Sequence, residues 1–257
     1  MVENTFLNMH LLDAVQRGSL QIAANLIKAG ANPAAYDHTA EPLVHVAYEH
    51  SGPAMADMIK LLVDKGADAY ATAENMNTIF DKMAINCEFY NMKTICSLGI
   101  SPMSGCNRDL MQDAVVMGFG NIKLAIESGV KPQGLCIEYA CRDFDYRSIK
   151  LLAKAGADVN KRNYDGNTPL MVIADDKFKK KFFNDVKKGV NWITKDKSKL
   201  KKILLFRRIQ VIITLLKLGA DMNMKNYDDK TVFALTSDKD IIKVLNRYTK
   251  GQLVLAV

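Results

Sequence analysis

The most reactive side chains in this chain belong to four histidines and five cysteines. Three of the histidines, His38, His45 and His50, fall within thirteen residues, which raises the question of a metal site. His45 lies inside a predicted helix, whereas His38 lies in the loop before it and His50 in the turn after it. Opposite ends of a helix do not converge on one ion, so we expect no metal site there.

The cysteines are odd in number, and no two of them have the spacing of a CxxC motif. In a chain of 257 residues this pattern favours free thiols in a reducing compartment over a disulfide framework. Cys136 and Cys141 are five residues apart on a predicted helix, so their side chains do not meet. We expect most of the cysteines to pack as small apolar residues. Cys106, in a predicted loop, is the best candidate for an exposed thiol.

No sequence motif of a catalytic site is present. The chain has no phosphate-binding glycine loop, no G-x-S-x-G elbow, no H-E-x-x-H helix and no kinase signature. Its longest apolar stretch, 203–218, is interrupted by three basic residues, and the first twelve residues carry no basic cluster ahead of an apolar core. We therefore expect a cytoplasmic protein that is not an enzyme and that needs no cofactor.

Positive charge is concentrated in one segment, 177–208. It contains eleven lysines, two arginines and two aspartates, a net charge of +11 in a chain whose total is +7, so the remainder carries −4. Clustered cations attract acidic proteins, anionic lipid surfaces or nucleic acid. Lysine outnumbers arginine and the aromatics are not interleaved with it, so an acidic protein is favoured, anionic lipid comes second and nucleic acid is disfavoured. The candidate binding residues here are Lys179, Lys180, Lys181, Lys187, Lys188 and Trp192.

A short phrase recurs along the chain and predicts its architecture. Gly-Ala-Asn or Gly-Ala-Asp begins at Gly30, Gly66, Gly156 and Gly219, each time after an apolar helical run, and weaker copies begin at 99 and 129. From 30 to 156 successive glycines are 36, 33, 30 and 27 residues apart, and the last gap is 63. A phrase that recurs at intervals of about 30 residues is typical of proteins built from stacked structural repeats.

A second phrase, Asn167-Thr168-Pro169-Leu170, has relatives near 41, 77 and 230. Together the two phrases resemble the ankyrin repeat, whose common pattern starts with D-x-x-G-x-T-P-L-H-x-A and ends with L-L-x-x-G-A-D-V-N. The resemblance covers about 7–245. It implies an all-α solenoid of seven to eight helix-turn-helix units in a single domain over 1–257, with a tail at 248–257. Thr168 and Pro169 suit the N-cap and the first position of a helix.

The 63-residue gap allows two interpretations. Gly189 lies 33 residues after Gly156 and 30 before Gly219, and Leu200 keeps the usual offset of 19 from Gly219, which favours a decayed extra repeat and eight units in all. The alternative is an insertion that lengthens the sixth helix pair into a projecting basic hairpin.

Exposed residues at the loop tips between repeats are the remaining candidates. Members of the ankyrin family usually grip partners with these tips and with the inner-helix face, and exposed tyrosines are common at binding hot spots. The same rings could instead pack on the neighbouring tip and stiffen the row. The candidates are Tyr36, Tyr70, Arg162, Tyr164 and Tyr227.

The resemblance implies a non-catalytic module, expected to be monomeric, that binds a protein partner through the concave face and the loop tips. In the alternative, the basic segment docks on an anionic membrane surface or nucleic acid and the repeats are a frame. Lysine- and asparagine-rich degenerate ankyrin chains also resemble effectors that intracellular bacteria deliver into host cytoplasm, or host-range factors of large DNA viruses.

Overall fold

A computed structural model describes residues 2–102, 109–177 and 197–251. The described residues fall into two compact units, the first within 1–131 and the second within 132–257. The described helices of the first unit are α1 (Val2–Gln16), α2 (Leu20–Lys28), α3 (Leu43–His50), α4 (Met55–Asp64), α5 (Ile79–Ile85), α6 (Phe89–Ser97), α7 (Leu110–Met117) and α8 (Phe119–Glu127). Those of the second are α9 (Cys136–Arg142), α10 (Tyr146–Lys154), α11 (Pro169–Ala174), α12 (Lys197–Lys217), α13 (Val232–Leu235) and α14 (Lys239–Thr249).

Within each unit the helices pack as consecutive pairs in two rows. In the first unit the inner helices α1, α3, α5 and α7 contact one another in order, and the outer helices α2, α4, α6 and α8 do the same. In the second unit α9, α11 and α13 form the inner row, and α10, α12 and α14 form the outer row. Each pair buries its apolar face against its neighbours, as expected for a protein of stacked repeats. The predicted all-α ankyrin-type repeat architecture is confirmed.

The recurring glycine phrase ends the outer helices. After α10, Gly156 has a φ of 100°, a left-handed conformation that side chains other than glycine rarely adopt. Its N–H donates to the Ala153 carbonyl, and the N–H of Ala157 donates to the Leu152 carbonyl. This pair of bonds is a Schellman motif, which satisfies carbonyls that the end of a helix leaves without partners.

Threonine side chains cap two of the inner helices. The Thr168 hydroxyl accepts a hydrogen bond from the Met171 N–H, and Pro169 occupies the first turn of α11, so the predicted cap is confirmed. At α5, Thr78 and Asp81 form a reciprocal capping box. Replacing such a cap by alanine typically costs about 1 kcal/mol of stability.

Methionine and cysteine side chains contribute to the apolar core. Of the methionines on the described helices, Met9 and Met117 are exposed and the others are buried, namely Met55, Met58, Met83, Met92, Met111 and Met171. Of the four cysteines in the described residues, Cys136 and Cys141 are buried, Cys96 is half-buried and Cys87 is exposed, so core packing of most of the five is not confirmed. Cys106, the predicted exposed thiol, lies outside the described residues.

The described part of the basic segment differs from a separate repeat. An extra unit ending at Gly219 requires two short helices with a turn between them, but α12 runs unbroken for 21 residues. Its C-terminal half packs against α10, α11 and α14, the place of an outer helix paired with α11. The described residues thus form seven helix pairs, the last beginning with the four-residue α13. None of their helices is both long and apolar enough to cross a membrane.

Candidate functional site

Two neighbouring loop tips in the second unit have the same local structure. In the tip between α10 and α11, the Asn163 Oδ1 accepts hydrogen bonds from the N–H groups of Asp165 and Asn167, both at 3.0 Å. In the tip between α12 and α13, the Asn226 Oδ1 accepts from Asp228 at 3.1 Å and from Lys230 at 3.0 Å. An asparagine side chain closes each turn by hydrogen-bonding to backbone further along, which such short amides do well.

Hydrogen bonds join the two tips to each other. The Asn226 side-chain amide donates to the Asn167 Oδ1 at 2.8 Å, and the Tyr227 N–H donates to the Asp165 carbonyl at 3.3 Å. Nearer the helices, the Asn160 amide donates to the Gly219 carbonyl at 3.1 Å. Bonds between residues about sixty positions apart hold both tips in one register, so they form a preorganised edge.

The tip tyrosines, which occupy equivalent positions in sequence, differ in their surroundings. Tyr164 is 96% exposed, while Tyr227 is 71% exposed. The Tyr227 ring lies against Gly166 of the neighbouring tip, where an added Cβ would come within 2.8 Å of the ring. Tyr227 therefore has a stiffening contact and an exposed edge, and Tyr164 is available as a contact residue.

Below these tips lies a groove of about 590 Å³. Asp165, Asn167, Asn226 and Asp228 of the tips line it together with Tyr164, Tyr227, Asp175, Asp176, Lys177, Lys230, Ala234 and Leu235. Four carboxylates against two ammonium groups give the groove a net negative charge. The Asp176 Oδ2 accepts from both the N–H and the hydroxyl of Ser237 at 2.7 Å, which fixes that wall.

The other tip candidates do not line the groove, and they divide between the two predicted roles. Arg162 is exposed at the base of the Tyr164 tip. In the first unit, Tyr36 is exposed and pairs through its backbone with Pro42. Tyr70 is half-buried: its hydroxyl donates to the Ser101 carbonyl at 2.7 Å and its ring lies 6.2 Å from that of Phe80. Tyr70 thus links consecutive tips.

Six predicted binding residues lie outside the described residues, namely Lys179, Lys180, Lys181, Lys187, Lys188 and Trp192. Of the basic segment, the structure describes Lys177 and the portion of α12 from 197 onward. Within it, Lys201, Lys202 and Arg207 are exposed as predicted for a charged surface.

Arg208 is the exception, and sequence reasoning missed its role. It was counted with the surface charge of the basic segment, yet it is only 3% exposed. Its Nε donates to the Ile173 carbonyl at 2.5 Å and its Nη2 donates to the Asp175 carbonyl at 3.0 Å, at the C-terminus of α11. Its Nη1 lies 3.8 Å from the Asp238 carboxylate at the start of α14. Burial lowers the pKa of this guanidinium, and the nearby aspartates oppose that shift. Helical periodicity gave only a partial signal: Arg208 shares a helix face with Leu215, whereas Arg207, about 100° away around the helix axis, lies at the edge of that face beside Val211.

His45 is a buried core residue whose ring makes a hydrogen bond to the backbone. It is buried in α3, where its Nε2–H donates to the Ala71 carbonyl at 2.8 Å and its Nδ1 lies 3.2 Å from a Glu41 oxygen. Lys82 forms an ion pair with Glu41 and lies 2.6 Å from Glu49. Burial lowers the pKa of His45, the Ala71 bond raises it and Lys82 lowers it further. Among the described residues no three histidine, cysteine or acidic side chains are grouped as metal ligands.

Comparisons with known proteins agree with this architecture. No family model matches the chain, and no curated protein matches it. Among solved structures, it is similar to the ankyrin repeat domain of Bcl-3, described as a unique member of the IkappaB protein family. That match has 17% sequence identity and a TM-score of 0.60, and it covers 92% of this chain and 97% of the other. At this identity the likeness establishes the fold.

Proposed function

From the ankyrin-repeat fold of this chain, we propose that it is a non-catalytic protein-recognition module that binds a partner at the tip groove, the cavity below the Tyr164 and Tyr227 tips. The observation that carries the proposal is the combination of a fully exposed aromatic ring with a negatively charged groove on hydrogen-bonded tips. The fold is a frame for presenting such surfaces.

The lining of the groove favours a partner that presents basic side chains. Lysine or arginine can pair with the carboxylates of Asp165 and Asp228, and an arginine can also lie on the face of Tyr164. Because hydrogen bonds already hold the tips, binding orders few additional groups and loses little conformational entropy.

The basic partner expected here is distinct from the acidic partner expected from segment 177–208. That acidic-partner prediction concerns a different surface, most of which lies outside the described residues, and it stays a prediction. The effector role, the cytoplasmic location and the monomeric state likewise stay predictions. The proposal assigns the chain a binding role without a catalytic step.

Site-specific photocrosslinking tests the tip groove. A photoreactive phenylalanine analogue replaces Tyr164 in the full chain, and the matched control carries it at Tyr90, which is 71% exposed on α6 of the first unit. In native cytosol, we expect a discrete crosslinked partner from position 164 and not from position 90. The double variant Asp165→Asn, Asp228→Asn should weaken that crosslink by at least tenfold, since it removes two of the four carboxylates.

A partner captured equally from both positions, or one unaffected by loss of the two carboxylates, would contradict groove recognition. Tyr164, Asp165 and Asp228 are exposed and their side chains do not contribute to the core. We therefore expect each variant to keep the helical circular dichroism spectrum of the unchanged chain, which serves as the control for folding.

A second candidate function is the docking of the basic segment on an anionic surface, with the repeats as a frame. The exposed face of α12 supports it, because that face carries both cations and apolar side chains.

A further inference from the structure

The N-terminal half of α12 extends beyond the packed part of its outer row. The neighbouring outer helices α10 and α14 have 9 and 11 residues, whereas α12 has 21. Arg208 is the first fully buried side chain along its described portion, and Val211, Ile212, Leu215 and Leu216 are buried after it. The turns before Arg208 therefore present a helix face to solvent.

That solvent face combines apolar and basic side chains. Phe206 is 62% exposed and Ile203 is 39% exposed. At helical spacing, Lys199, Lys202 and Arg207 share the face with them, and all three are exposed. No acidic residue occurs anywhere in α12. We define these five residues as the α12 face.

We propose that the α12 face docks on an anionic lipid bilayer, with Phe206 and Ile203 at the boundary between headgroups and acyl chains. A helix with apolar residues at its centre and cations on its flanks lies in the plane of such an interface. Lysine and arginine stems can extend along the apolar surface while their charges stay among anionic headgroups. The inference develops the second candidate function and does not depend on the tip groove.

The same features disfavour nucleic acid as the occupant. Phosphate contacts need cations alone, and stacking on single strands needs a series of aromatic rings. On the α12 face one phenylalanine and one isoleucine lie together between the cations. A bilayer removes these two apolar side chains from water by taking them up among its acyl chains. A phosphate backbone would leave them exposed to water.

A second basic surface in this unit provides a matched control. Lys239, Lys243, Arg247 and Lys250 of α14 line one groove, with Ile242 and Asn246 completing it. This groove has four cations and no exposed large apolar side chain. If attraction depended only on net charge, the α14 groove and the α12 face would contribute alike.

The test is co-sedimentation of the full chain with large vesicles at physiological salt. Vesicles of phosphatidylcholine with 30% phosphatidylserine are compared with vesicles of phosphatidylcholine alone. We expect binding to the anionic vesicles only. Phe206→Ser should lower the partition coefficient about tenfold. Phe6→Ser, which changes a ring with 61% exposure on α1, should leave it within about twofold.

Charge variants separate the α12 face from the net charge. Lys202→Ala with Arg207→Ala should lower the partition coefficient about 25-fold, since each cation at an anionic surface contributes about fivefold. Lys239→Ala with Lys243→Ala removes the same charge and should change it less than about threefold. Equal losses in the two double variants, or unchanged binding in Phe206→Ser, would overturn the proposal.

Competition distinguishes the remaining outcomes. The competitor is a duplex or single-stranded oligonucleotide. If it binds more tightly than the vesicles, and if Phe206→Ser does not change its affinity, the face binds nucleic acid and the lipid proposal is overturned. Tyr164→Ala should keep full vesicle binding, so failure of the tip groove and failure of the α12 face are observed independently.

Discussion

Replacing Arg208 by alanine should destabilise the second unit far more than any exposed charge in the basic segment. The guanidinium is 3% exposed and donates to the carbonyls of Ile173 and Asp175, the last acceptors of α11. It also faces Asp238, which caps α14 by accepting from the Asp240 N–H. Arg208 thus connects α11, α12 and α14.

The expected magnitude follows from what the substitution leaves behind. Breaking a buried charge pair by removing one partner typically costs about 3–5 kcal/mol. The substitution also leaves two buried carbonyls without donors, and each unpaired carbonyl costs about 1–3 kcal/mol of stability, which agrees with that range. Arg208→Lys should retain part of the stability, because one ammonium cannot replace the planar fork that reaches both carbonyls.

Urea denaturation followed by helical circular dichroism measures the effect. With a slope of about 2–3 kcal/mol per molar, the midpoint of the second unit's transition should fall by about 1–2.5 M. Arg207→Ala is the matched control, since it removes the adjacent, exposed arginine and should change the free energy of unfolding by less than about 0.5 kcal/mol. Equal midpoints for the two variants would refute the reasoning that burial of Arg208 carries the effect.

Three further predictions concern other contacts. Because burial lowers the pKa of His45 below its ordinary value of 6.5, the unfolded chain binds a proton first, so the free energy of unfolding should fall as the pH drops below about 6.5. His45→Gln should flatten that slope in denaturation between pH 7 and pH 5, and an unchanged slope would refute the assignment. Gly166→Ala should destabilise the second unit by about 1–3 kcal/mol, since its φ is 75° and the added Cβ meets the Tyr227 ring; a Tyr227→Ala background should restore part of the loss in thermal unfolding. Alkylation mapped by mass spectrometry should modify exposed Cys87 in the native protein and spare Cys141 until it unfolds, because burial raises the pKa of the Cys141 thiol; comparable native rates at both sites would contradict this.

Much of the local structure could be predicted because the repeat phrases encode local physics. The glycine at 156 can adopt a left-handed conformation, Thr168 can cap a helix and Pro169 can start one without a partner for its missing N–H. These preferences depend on a few adjacent residues. The recurrence of these phrases therefore predicted where several of the helices begin and end.

Side-chain roles at the tips and in the basic segment depended on distant residues. Tyr164 and Tyr227 occupy equivalent positions in sequence, yet only Tyr227 lies against a glycine from another tip. The phase of Leu200 and Gly219 indicated a helix pair, but no local signal marks a turn in α12, and packing against α11 and α14 is satisfied by one long helix.

By itself, then, the sequence determined the repeat fold and the helix ends, since capping and backbone conformation are decided within a few residues. Only the tertiary structure decided that Arg208 is interior while Arg207 is exposed, and that the tip groove is acidic in a chain of net charge +7. Burial and local potential are sums over side chains far apart in the chain, and folding alone brings those side chains together.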